Sequence, residues 1–272
     1  MAINDISLTA GMRSNLVSLQ ETVNLLNRTQ ERLSTGKKVN SALDDPTAFF
    51  ASQALLQRAS DLSALKDGMG QAIQTVKAAD AGIKGITSLI QQARGLTQAA
   101  RTANTDGREA LAAQFDEILN QIDALAADSG YQGTNLLAGA TLTVNFNEDG
   151  SSSLDVLGFD ATTGGDLAID GATNDWVADT DIDAALADLD AALGTLRAQS
   201  STLSSNLSVI TTRQDFTTNL INALTEGSDK LVLADMNEEG ANMLMLQTRQ
   251  SLGITALSLS SQAAQSVIAL FR

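Results

Sequence analysis

Cysteine and histidine are absent from the 272 residues, proline occurs once, at Pro46, and aromatic side chains make up only 3%. Without Cys or His there is no thiol nucleophile, disulfide, thiolate or imidazole metal site, or histidine-based triad. Carboxylate, lysine and serine chemistry stay open. Few aromatics beside 43% hydrophobic residues require an aliphatic core. A chain almost free of Pro and rich in Ala, Leu, Gln and Ser favours helix. The opening MAINDISLTAGMRSNL has no basic stretch followed by an apolar one, so it does not read as a cleavable secretory signal. No window approaches the roughly 20 apolar residues of a membrane span, and no membrane insertion is expected.

Positive charge is missing from one long stretch. From Glu109 to Gly194 there are 17 acids and no Lys or Arg, whereas residues 1–65 hold six of each. The net charge is −15. An acidic middle of this kind argues against nucleic acid as a partner and reads as a solvated surface.

What is present is heptad periodicity. Asp5–Ser34 predicts a helix with Met12, Leu16, Leu19, Val23, Leu26 and Leu33 in three-four alternation, interrupted at Gln30. Gly36 reads as its C-terminal stop. A connector follows, with Asp44 or Asp45 as cap and Pro46 in the first turn of a second helix. That helix, to Arg101, carries an unbroken seam of Leu62, Leu65, Met69, Ala72, Val76, Ala79, Ile83, Ile86, Ile90 and Ala93. Gly68, Gly70, Gly82 and Gly85 each weaken it by about 1 kcal/mol relative to Ala, so the seam must be packed against partners. Asp106 with Glu109 predicts a capping box for a third helix bearing Leu111, Phe115, Ile118, Ile122 and Leu125.

Between about Ser129 and Asp179 the helical period disappears. Leu142, Val144 and Phe146 alternate in TLTVNF, Leu154 and Val156 alternate after Asp149–Gly150, and together they predict a β-hairpin with a longer loop. DLAID (166–170) predicts a further short strand. A fourth helix starts near Asp181 and breaks at 227–229. The last runs from about Asn237 onward, one stripe holding Ile254, Leu257, Ala264, Ile268 and Phe271, with Leu252, Leu259 and Leu270 widening the apolar arc. Such a helix wants several neighbours. The fold class is mainly α: long, coiled-coil-like antiparallel helices, first paired with last and second with fourth, with a small β-hairpin insert. Two terminal helices alone hold too little core for their apolar width. Oligomerisation is the usual remedy, and a head-to-tail contact that does not close makes a filament.

The termini resemble bacterial flagellin. The matching residues are Arg13, Asn15 and Leu16, then LSTGKKVNSALDDPTA (33–48), YQGTNLL (131–137) and LQTRQSLGITALSLSSQAAQSVIALFR (246–272). The resemblance implies a self-polymerising structural subunit of the flagellar filament, exported unfolded through the flagellar type III apparatus without a cleavable signal. It further implies that 1–36 and 236–272 form an inner tube, that 37–45 is the connector, and that 46–235 is a helical rod with the β insert at about 138–180. The insert is small, as in a short form without large variable outer domains. Other copies of the chain are the expected partners, with an export chaperone and the hook-junction and cap proteins; no cofactor and no catalytic residue is expected. The polymerisation interface is expected at Leu16, Leu19, Val23, Leu26, Leu33, Leu257, Ala264, Ile268, Leu270 and Phe271.

Two alternatives share features with this reading. A hook–filament junction protein has flagellin-like terminal helices but not this full C-terminal segment. A cytoplasmic coiled-coil adaptor fits the heptads but does not explain the apolar chain end or YQGTNLL. Within the resemblance there is one departure. Flagellins detected by the vertebrate toll-like receptor carry an Arg-rich stretch and a following Glu; here Arg94 and Leu96 match, but Gln92 and Gln114 stand in place of Arg and Glu, which implies weak recognition. Ser34 and Lys37 have SxxK spacing, but Gly36 would end the helix that this chemistry needs. Asp179, Asp181, Asp183 and Asp190 imitate a calcium loop without its turn glycine, and their place at a helix start suits the helix dipole.

Overall fold

The computed structural model describes the backbone of residues 10–270 and the side chains of residues 10–266. Five long helices and one hairpin follow the expected order: α1 (Ala10–Thr35), α2 (Pro46–Ala100), α3 (Thr105–Asp128), β1 (Thr141–Asn145), β2 (Ser153–Leu157), α4 (Asp179–Val232) and α5 (Met236–Leu270). The chain divides into two compact units. One is drawn from the chain ends, up to Gln57 and from Leu224 onward; the other is Arg58–Ala223. The division falls inside α2 and α4.

In the Arg58–Ala223 unit, α2 and α4 run antiparallel. Gln214 Nε2 donates to the Lys66 carbonyl, Ser200 Oγ to Asp80, and Arg94 pairs with Asp190 at 3.2 Å, so partners on the two helices recede in opposite directions. Nine of the ten predicted α2 seam residues are buried and Leu65 is half-buried. From Leu65 onward they meet Ile182, Leu189, Leu196, Leu203 and Ile210 of α4 and Phe115 and Ile122 of α3 in one core. The glycines of α2 have a packing role. A Cβ at Gly85 would stand 2.7 Å from Leu125 Cδ2, and one at Gly82 would collide with Ser129 and Leu137, so α3 closes on α2 because these side chains are missing.

The two strands pair antiparallel, Leu142 opposite Val156 and Val144 opposite Leu154. Val144 and Val156 are buried in the same core. Arg213 lies over the Phe146 ring at 5.1 Å, and Arg58 Nε holds Glu148 at 3.0 Å, so both Arg side chains grip the hairpin end.

Three local expectations are corrected. The cap of α3 is Asn104, whose side chain accepts the Gly107 N–H; Asp106 is already helical. DLAID forms no strand. Leu167 and Ile169 are buried in turn, but Ala168 has φ 47° and the segment is tied by turn hydrogen bonds, including Ile169 N–H to the Thr163 carbonyl. The alternation marked burial, not pairing. Helix α4 does not break at 227–229. Gly227 faces Leu55, and the Ser228 hydroxyl is buried against that of Ser52 at 2.9 Å, so tertiary contact carries the helix through weak formers.

Candidate functional site

The terminal helices bear the residues that the sequence singles out, and their geometry starts at the connector. Gly36 has φ +70°, a left-handed conformation that ends α1, and its N–H returns to the Arg32 carbonyl. The chain then lies against the end of α4. Lys38 N–H donates to the Val232 carbonyl at 2.8 Å, and Ala234 N–H to the Gly36 carbonyl at 3.0 Å. Asp44 closes the connector turn by accepting the N–H groups of Asn40 and Ser41 and the Ser41 hydroxyl. The Ser41 N–H, followed by that of Asn40, holds the Asp44 carboxyl below its ordinary range. Of the two candidate caps, Asp45 starts α2: its side chain accepts the Ala48 N–H, with Pro46 in the first turn.

Helices α1 and α5 pack antiparallel. Arg32 reaches Glu239 at 2.8 Å near one end of the seam, and Leu19 lies over Gly253 further along. On α1 the inward face is Met12, Leu16, Leu19, Thr22, Val23, Leu26, Thr29 and Leu33. The position interrupted in the sequence is filled by buried Thr29, while Gln30 is exposed. Leu16, Leu19, Val23, Leu26 and Leu33 are half-buried here, as are Leu257 and Ala264 on α5. The structure therefore brings these seven together within one chain. The side chains of Ile268 and Leu270, and all of Phe271, lie outside the described residues.

Of the stripe expected on α5, Leu257 and Ala264 lie on the inward face and Ile254 does not. That face runs Glu239, Met243, Leu246, Gln250, Gly253 and Leu257 in four-three alternation, with Ala264 one heptad further on, while Ile254 is 53% exposed. Glycine wins the seam position because α1 comes close there: a Cβ on Gly253 would stand 3.0 Å from Leu19 Cδ1. Hydrophobic patterning does not register a glycine or a glutamine as core, which is why this face escaped the sequence reading. Arg32–Glu239 escaped it too, because the partners are far apart in sequence; the Glu239 side chain is only 9% exposed.

The opposite face of α5 is also apolar. Leu244, Leu252 and Leu259 are 67%, 65% and 62% exposed. At 100° per residue they fall within about 80° of one another and away from the α1 seam. A helix apolar on two opposed faces is one built to be covered twice.

The other predicted patch lies in the Arg58–Ala223 unit. Gln92 and Gln114 are exposed, Leu96 packs on the core, and Arg94 pairs with Asp190 while its Nε is buried without a partner. Three of the four acids of the imitated calcium loop serve as ion-pair partners: Asp179 to Arg108, Asp183 to Arg101, Asp190 to Arg94. Ser34 Oγ donates to the Glu31 carbonyl in the last turns of α1. Among the described residues no helix is long and apolar enough to cross a membrane.

Comparison with known proteins bears on this arrangement of long helices and paired ends. The family described as the bacterial flagellin N-terminal helical region matches residues 3–141. The flagellin FljK of Caulobacter vibrioides is 30% identical over 282 residues, covering 100% of both chains. The chain belongs to the bacterial flagellin family. A flagellin of Brucella melitensis is 29% identical over 99% of this chain and 98% of its own length. The crystal structure of Bacillus cereus flagellin aligns with 55% of this chain and 88% of that one, at 17% identity and a TM-score of 0.48. Flagellins are structural proteins, and this chain is accordingly a flagellar filament subunit acting outside the cell, not an enzyme. Full-length flagellin relatives also decide against the junction-protein and adaptor alternatives.

Proposed function

We propose that the subunit enters the filament through its terminal helices. In this reading 1–36 and 236–272 form the inner tube, 37–45 the connector, and 46–235 the rod that carries the hairpin. Leu16, Leu19, Val23, Leu26, Leu33, Leu257 and Ala264, with Ile268, Leu270 and Phe271, then hold the pair together and reach neighbouring copies. The supporting observation is the second apolar face of α5, exposed at Leu244, Leu252 and Leu259 while the first is turned to α1. Fully burying one such side chain contributes about 1.5–3 kcal/mol, so three per subunit, repeated along a polymer, form a strong association surface.

Export through the flagellar type III apparatus, with chaperone, junction and cap proteins as further partners, belongs to the same proposal. So does weak recognition by the toll-like receptor, given Gln92 and Gln114; a strong cell-reporter response at low dose would sink that part. The decisive experiment is deletion of 267–272. The Arg58–Ala223 unit is expected to stay folded, judged by Trp176 fluorescence, while polymerisation is lost. Filaments of normal length in electron micrographs of the truncated protein would overturn the assignment.

A further inference from the structure

The Arg58–Ala223 unit carries a groove of its own, on the side of α2 turned from α3. Gly82 marks where α3 approaches α2. Lys84 and Gln91 stand about 180–200° round the helix from it. There α2 and α4 border a groove of about 650 Å³, with Ile83 and Leu196 as buried floor and Lys84, Thr87, Arg197 and Ser200 on the walls. The two cations are its distinctive feature. Arg197 is exposed and forms no ion pair among the described residues, whereas Arg32, Arg58, Arg94, Arg101 and Arg108 each have one. Lys84 holds Asp80 one turn away, an exposed surface pair that is weak and readily exchanged. Asp80, the partner of Lys84, also accepts the Ser200 hydroxyl.

We propose that this groove receives the acidic surface of a second copy, drawn from residues 109–190, with Lys84 and Arg197 meeting its carboxylates. The argument is charge complementarity within one sequence. The stretch from Glu109 to Gly194 carries 17 acids and no base. Copies that meet acid against acid repel, so contact is favoured in the register that places acids on this groove. The buried apolar floor lowers the local dielectric and strengthens the pairing relative to open surface. The proposal rests on the filament reading, which brings copies side by side, and it names a contact on the helical unit distinct from the terminal helices.

The absence of Cys allows a direct test. Ser201→Cys places a single thiol beside the groove, and a photo-crosslinker on it reports what lies there in assembled filaments. Mixing isotope-labelled and unlabelled chains distinguishes neighbours from self. Adducts on residues 109–190 of a neighbouring copy are expected; adducts confined to the same chain or to a neighbour's terminal helices overturn the proposal. In parallel, Lys84→Glu/Arg197→Glu is expected to keep the helical signal of the monomer and to raise the critical concentration for polymerisation about tenfold at low salt. The wild-type critical concentration should rise with NaCl and that of the variant should respond far less. Equal critical concentrations and equal salt dependence would overturn it. If the wild-type chain forms no filaments at all, the filament reading itself falls, an outcome separate from failure of the groove.

Discussion

Replacing Gly82 by Ala tests whether the glycines of α2 are defects or contacts. By propensity alone, Gly→Ala inside a helix stabilises by about 1 kcal/mol. At Gly82 the new Cβ would collide with Ser129 Oγ and stand 2.8 Å from Ser129 Cβ and 2.6 Å from Leu137 Cδ1. Leu137 is fully buried, so it has nowhere to move. Rotating Ser129 would break its 2.6 Å bond to the Leu125 carbonyl, worth about 0.5–1.5 kcal/mol. Overpacking of a tight site costs about 1–3 kcal/mol, which added to the hydrogen bond exceeds the propensity gain. The expected net effect is destabilisation by about 1–3 kcal/mol. For units of 150–250 residues each kcal/mol shifts Tm by about 2–4 °C, so Gly82→Ala should melt about 2–12 °C lower. Gly68 is the control. It is exposed with nothing within 4 Å of a built Cβ, so Gly68→Ala should melt about 2–4 °C higher. Circular dichroism melts of both purified monomers suffice. If Gly82→Ala also melts higher, the close approach of α3 at this position is not a constraint and the packing argument fails.

Arg32→Ala would leave the Glu239 carboxylate, 9% exposed, without its partner. Since Arg32 is itself 33% exposed, the cost should be about 1–3 kcal/mol, below that of a fully buried pair. Faster amide exchange along α1 is expected, with recovery when Glu239→Gln is added; no recovery would assign the effect to lost packing. At the connector, the folded carboxyl of Asp44 lies below its ordinary value of 3.8. Its contribution is therefore complete above that value and lost as pH falls through the lowered one. Amide exchange at Asn40 and Ser41 should rise on acidification in the wild type, and Asp44→Ala should show the raised exchange already at neutral pH. Arg108 donates to the carbonyls of Trp176 and Val177 and to Asp179. Trp176 is the sole Trp and packs on Phe115 at 5.0 Å. Arg108→Ala should red-shift its emission and open it to acrylamide quenching; an unchanged spectrum would remove Arg108 from that role.

Long helices were legible because their seams repeat every seven residues for many turns. Flanking errors, by contrast, occurred where a local signal competed with a distant contact. Ser228 and Gly227 read as a breaker until Ser52 and Leu55 are placed against them. Asp106–Glu109 matched a capping box, but Asn104 reached the free N–H first. Leu167 and Ile169 alternated because both are buried, without any strand for them to pair with. Ile254 looked like core by hydropathy and is exposed, while Gly253 beside it is contact.

The sequence by itself determined the helical class, the order of elements, the presence of the hairpin and the family, since each follows from periodicity or from motifs read along the chain. It also determined that α5 is apolar too broadly for one neighbour. Only the tertiary structure decided which face of α5 turns to α1, because that choice depends on how near two backbones come. The approach is closest where one of them has no side chain, and a pattern of hydrophobic residues does not encode that fit.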